Sequence, residues 1–81
     1  MVAVPKMIGV ESATIEGIGY DPEARELYVW FRSPPGVYAY RPVAASVFEE
    51  FQHAESKGEY FNRSIKGHYI YRPALEDSAE A

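Results

Sequence analysis

"DPEARELYVWFRSPPGVYAYR", residues Asp21 to Arg41, holds two alternating runs, each preceded by a stretch that resists regular structure. In a strand, successive side chains point to opposite faces. Leu27, Val29 and Phe31 therefore share one face, and Tyr28, Trp30 and Arg32 the other. Asp21 and Pro22 favour a turn, so the chain arriving from upstream reverses here. The second breaker, SPPG (Ser33 to Gly36), forces another reversal, and VYAYR (Val37 to Arg41) returns with Tyr38 and Tyr40 on a common face. Parallel neighbours need a long crossover, whereas these connections are short. The stretch predicts an antiparallel meander.

Upstream, ATIEGIGY (Ala13 to Tyr20) supplies the first strand of that meander. Gly17 and Gly19 inside it point to a bulge or to another backbone passing close by. The residues before it, 1–11, show no clean period and read as an arm. Downstream, Pro42 suits the first turn of a helix, where its missing N–H costs nothing. Ala44, Val47, Phe48, Phe51 and Ala54 then recur at helical spacing, with Ser46, Glu49, Glu50 and His53 mostly opposite. A second helix starts at Ser56, which forms an S-x-x-E capping box with Glu59. Phe61 and Ile65 are its buried stripe and Gly67 its left-handed stop. HYIYR alternates again and predicts a short closing strand.

The expected architecture is α+β in one small domain: a three-stranded antiparallel meander, two short helices and an extended C-terminal strand. The divisions are an arm over 1–11, a domain over 12–73 and an acidic, frayed tail over 74–81.

At 81 residues with no cysteine, the chain sits where a single core is only just adequate and no disulfide can help. An aromatic content of 15% fits that need, since aromatic rings bury the most area per residue. No apolar run approaches the roughly 20 residues of a membrane span, and the start lacks the pattern of a secretory leader. A cytoplasmic location without membrane contact is the expectation. The formal charge of −4 argues against indiscriminate phosphate binding. It is unevenly spread, however. Arg32, Arg41, Lys57, Arg63, Lys66 and Arg72 outnumber the four glutamates of the same central half, while both ends are acidic.

Catalysis finds little support. There is no thiol nucleophile, and His53 and His68 lack metal-ligand spacing. Nothing marks two of the glutamates as a working pair. The expectation is a non-enzymatic protein without a cofactor. Lys57, beside the start of the second helix, would suit one phosphate of a small ligand. Tyr28 and Trp30 admit two readings: an open face that stacks unpaired bases, or a second core covered by the last helix or strand. On the second helix, Asn62, Arg63 and Lys66 stand away from the buried stripe. Arg63 and Lys66 would share one surface, and the alternative is a solvated face with Arg63 paired to Glu59.

The order of these features resembles the KTSC domain. The matching residues are Ile18-Gly19-Tyr20-Asp21-Pro22, then Leu27, Val29 and Phe31, then Tyr38-Ala39-Tyr40. Ser56, Gly58, Phe61, Asn62 and Ile65 follow, and Tyr69 and Tyr71 close the pattern. The family is named for the C-terminal extension of some lysyl-tRNA synthetases and also occurs as small proteins of bacteria and their viruses. The family has no established activity, and RNA binding is proposed for it because some members are attached to a tRNA-charging enzyme; the expectation is a non-enzymatic binding module with RNA, either tRNA or single-stranded, as ligand. The candidate contacts are Tyr38, Tyr40, Lys57, Asn62, Arg63, Lys66, Tyr69 and Tyr71, the tyrosines for stacking and the cations for phosphate. The alternatives are a protein partner, held by a strand edge or the Tyr28/Trp30 surface, and a small phosphorylated ligand held at the start of the second helix near Lys57 and Gly58.

Overall fold

The computed structural model describes residues 5–74. Its strands are β1 (Ile8–Gly9), β2 (Ile15–Asp21), β3 (Glu26–Arg32), β4 (Pro35–Arg41) and β5 (Ile70–Pro73). They form one antiparallel sheet in the order of the chain. The α+β expectation holds, but the meander has five strands rather than three. The arm contributes β1, and the C-terminal run pairs with β4 from Ile70 to Pro73, leaving His68 and Tyr69 outside the strand. The first reversal is made by Asp21, whose Oδ1 accepts from the backbone N–H groups of Glu23 and Ala24 at 3.1 and 3.2 Å. Arg25 completes it in the left-handed region, at φ 56°. Strand β4 starts two residues earlier than the proline-rich stretch predicts, because Pro35 already pairs with Arg32.

The sheet has two faces, and Gly17 and Gly19 explain how they differ. The β2–β3 register slips between Ile15 and Gly17, the bulge that the glycines predict. A methyl group on Gly19 would lie 2.8 Å from the Lys6 carbonyl oxygen and 3.2 Å from the Trp30 ring. The arm backbone and the indole thus occupy the space a side chain would need. On this face Tyr28 and Trp30 are buried with Ala39 and Ala74. The second core reading holds, although neither helix supplies the cover. Ala74 belongs to the fold and not to the tail, since it is buried and its N–H donates to the Val37 carbonyl at 2.7 Å. The rest of the expected tail, 75–81, lies outside the described residues.

The opposite face carries the main core. Leu27, Val29 and Ile18 of the sheet meet Phe51 of α1 (Ala45–His53) and Ile65. Pro42 does not begin α1. Val43 lies between them, fully buried and in use: its N–H donates to the Arg25 carbonyl at 2.9 Å, and its carbonyl accepts the Tyr20 hydroxyl. Both backbone groups are tied to the sheet region, so helical bonding starts one residue later, at the Ala44 carbonyl, which accepts from the N–H groups of Val47 and Phe48.

The second helix opens as read, with Ser56 Oγ accepting from the Glu59 N–H at 3.2 Å. It runs as α2 (Lys57–Tyr60) and continues as a π-helical turn over Phe61–Ile65. That turn is closed by the Lys66 N–H on the Phe61 carbonyl, five residues back, at 2.8 Å. Gly67, at φ +80°, makes the left-handed stop. Among the described residues no helix is long and apolar enough to cross a membrane.

Candidate functional site

The helical layer ends over β4, and β5 extends the sheet beyond it. At this step lies a groove of about 340 Å³ lined by Phe31, Tyr38, Tyr40, Phe61, Lys66, Gly67 and Tyr71. The register builds its floor. Tyr40 faces Tyr71 directly across β4 and β5, and Tyr38 faces Pro73, so Tyr38 and Tyr71 are diagonal neighbours. The Tyr71 ring lies 5.7 Å from that of Tyr40 and 5.8 Å from that of Tyr38. Phe61 descends from the π-helical turn and meets Phe31 and Tyr40 edge to face, at 5.2 and 5.5 Å. One wall is therefore fixed by packed phenylalanines.

The three tyrosines differ in what they offer. Tyr71 is 60% exposed. Tyr38 is half-buried. Tyr40 is a core residue at 6% exposure that still lines the groove, which corrects its assignment as a surface stacking platform: Phe61 packs against its ring. Burial pushes the Tyr40 phenol up to about 12, helped by the neighbouring Tyr71 and Tyr38. It stays neutral at any ordinary pH. Lys66 is exposed, and among the described residues lining the groove it is the charged one. Aromatic rings beside a single ammonium suit a flat ligand carrying negative charge.

The remaining sequence candidates lie elsewhere. Arg63 does not line the groove with Lys66, because the wider π-helical turn over Phe61–Ile65 rotates positions three apart away from each other. Its guanidinium sits over the Tyr60 ring at 5.9 Å, on a flank that includes Glu50, Glu55 and Glu59. Lys57 lines a third depression with Ile8, Gly9 and Gln52, and its ammonium donates to the Ala54 carbonyl. Tyr69 precedes β5, escapes its alternation and packs half-buried against the main core. Asn62 is exposed, as are His53 and His68. Among the described residues no partner is recorded for the Asn62 side chain, so the neighbouring-turn role is not seen.

Sequence reasoning missed Glu26. This carboxylate is 5% exposed, accepts the Tyr28 hydroxyl at 3.1 Å and is bridged by Arg72 at 3.1 Å. The available signal was its parity, since Glu26 falls on the Tyr28/Trp30 face. Its cations, Arg72 two strands away and Arg41 at 4.0 Å on the neighbouring strand, have no local signature.

With the groove and its frame described, comparison with known proteins adds the lineage. The family model for the KTSC domain matches residues 11–69. The chain belongs to the KTSC domain family. A KTSC domain protein from Yersinia pestis, solved as a crystal structure, superposes with a TM-score of 0.84 at 35% identity, covering 89% of this chain and all of that one. An uncharacterized protein of Stutzerimonas stutzeri strain A1501 is 36% identical over 82% of this chain and 93% of its own length. A lysine–tRNA ligase of Nostoc sp. strain PCC 7120 is 35% identical over 88% of this chain, which spans 12% of that enzyme. The KTSC match ends before β5, so the Tyr71 side of the groove lies beyond it.

Proposed function

We propose that this KTSC domain is a small non-enzymatic RNA-binding module that stacks unpaired bases in the aromatic groove. The observation that carries this reading is Tyr71: a ring 60% exposed beside two further tyrosines, in a groove that also holds Lys66. An exposed apolar ring fixed within an aromatic cluster is a ready stacking surface, and stacking contributes about 1–3 kcal/mol per base. The occurrence of a similar segment in a lysine–tRNA ligase, a protein whose name includes tRNA, adds support by association. The net charge of −4 assigns affinity to stacking more than to phosphate contacts.

Fluorescence titration with labelled single-stranded RNA and with tRNA at low salt tests the reading. Saturable binding weakened by Lys66→Ala is expected. No saturable binding of either ligand contradicts it.

A second reading, a protein partner, is favoured by the β5 edge. The Ala74 N–H bonds the Val37 carbonyl, which by alternation makes Arg72–Ala39 and Ile70–Arg41 the hydrogen-bonded pairs. Tyr71 and Pro73 therefore turn their backbone outward, and Ile70 is 68% exposed. Pro73 has no N–H to offer, which shortens the edge that a partner strand could extend. Affinity capture with and without nuclease separates the two: a protein retained after nuclease at the β5 edge supports the second reading, and its loss supports the first.

A further inference from the structure

Three tyrosines of the described chain are buried, and they differ in one respect. Tyr28 donates to Glu26 at 3.1 Å, and Tyr60 donates to Glu50 at 2.9 Å. Tyr40, as deeply buried at 6% exposure, has no hydrogen-bond partner for its hydroxyl among the described residues. Buried hydroxyls are almost always paired, because an unpaired one retains its desolvation cost. Its position resolves the anomaly, since the residue lines the groove.

We infer that Tyr40 Oη is the groove's reading group, hydrogen-bonding the polar edge of a single unpaired nucleobase whose phosphate lies at Lys66. The inference rests on the RNA-binding reading and goes beyond it in assigning base selection to one atom. At about 340 Å³ the groove is at the small end of ligand sites, which span roughly 300–1,000 Å³. That favours one base held at a time over a run of stacked bases. A phenol both donates and accepts, as does the Watson–Crick edge of a base. The raised Tyr40 pKa keeps the donor proton in place at every physiological pH. Tyr71, more exposed and lying across from Tyr40, supplies a stacking ring that accepts any base. Stacking and reading are thereby divided between the two. The same base-plus-phosphate unit occurs in a strand and as a free nucleotide.

The test compares wild type with Tyr40→Phe on short homopolymeric oligoribonucleotides of each base, with the four nucleoside monophosphates as competitors. Wild type is expected to prefer one base. Tyr40→Phe is expected to melt at the same temperature or higher, because the unpaired hydroxyl is gone. It should also lose the preference, with affinity for the favoured base falling roughly three- to tenfold, the scale of one neutral hydrogen bond. Competition by the matching monophosphate would identify the isolated base–phosphate unit as sufficient, and its absence would identify a strand as required; both accompany a reading role for Tyr40. RNA binding with an unchanged base ranking in Tyr40→Phe, or with no base preference in wild type, overturns the inference while leaving RNA binding intact. No binding of any RNA overturns both.

Discussion

Arg72 on β5 reaches over Ala39 on β4 to clamp Glu26 on β3, its Nη2 lying 3.1 and 3.3 Å from the two carboxylate oxygens. Ala39, fully buried and small, lets the guanidinium cross. The clamp matters because β5 is exposed along its whole length and buries little of its own. Arg72 and Tyr71 point to opposite faces, so an ion pair on one side holds the strand that presents Tyr71 on the other.

Removing Arg72 alone should therefore leave the Glu26 carboxylate buried with only the Tyr28 hydroxyl and the more distant, exposed Arg41, at 4.0 Å, as partners. With the Arg72 side chain 47% exposed, part of the loss is screened, and Arg72→Met should cost about 1–3 kcal/mol in urea denaturation. The Glu26→Met/Arg72→Met double variant should cost less than Arg72→Met, because no charge is then stranded. Equal or additive losses would show that the pair does not hold the strand.

The crowding at Gly19 gives a second expectation. Gly19→Ala pushes a methyl into the Lys6 carbonyl and the Trp30 ring and should destabilise by about 1–3 kcal/mol. Gly9 is the control: nothing lies within 4 Å of a methyl group there, so Gly9→Ala should shift stability by no more than about 0.5 kcal/mol. Similar effects of the two, measured by thermal melting, would contradict the close passage of the arm.

Alkaline pH should unfold the domain through its phenols. Burial raises Tyr40 to about 12, and burial with the Glu50 contact raises Tyr60 to about 12. The ordinary phenol value is about 10, so the unfolded chain loses these protons first. Their contribution is whole below pH of about 10 and is lost as pH rises toward 12 and beyond. Melting temperature should be flat from neutral pH to about 9.5 and then fall. Tyr40→Phe should lessen the fall, and a wild-type melting temperature unchanged at pH 11 would contradict it.

Salt should matter little to RNA binding. A single ammonium at the groove predicts a log–log slope near −0.7, about a two- to threefold loss between 50 and 200 mM salt. A slope several times steeper would place the RNA on a basic surface instead of the groove.

Much of the fold was legible because it is encoded locally. The alternation of Leu27 to Arg32, the Asp21 turn, the Ser56 cap and the Gly67 stop each reside in a few neighbouring residues. The departures all depend on distant partners. Pro42 looked like a helix start until Val43 proved to be tied at both backbone groups to the sheet. Tyr40 and Tyr71 share a face and a residue type, but Tyr40 lies on an internal strand under Phe61 while Tyr71 stands on the exposed edge strand. Arg63 and Lys66 were separated by a π-helical turn that no residue pattern announces. Half of the candidate contacts, Tyr38, Tyr40, Lys66 and Tyr71, do converge on one groove.

RNA binding by this domain stands or falls with Tyr71 as a base-stacking surface. Equilibrium titration of single-stranded RNA against wild type, Tyr71→Ala and Arg63→Ala tests it most directly, with circular dichroism confirming that each variant is folded. Tyr71→Ala should weaken binding by about 1–3 kcal/mol, roughly five- to 150-fold, while Arg63→Ala, on the opposite flank, should match wild type. Unchanged affinity in folded Tyr71→Ala, or a loss confined to Arg63→Ala, would contradict the account.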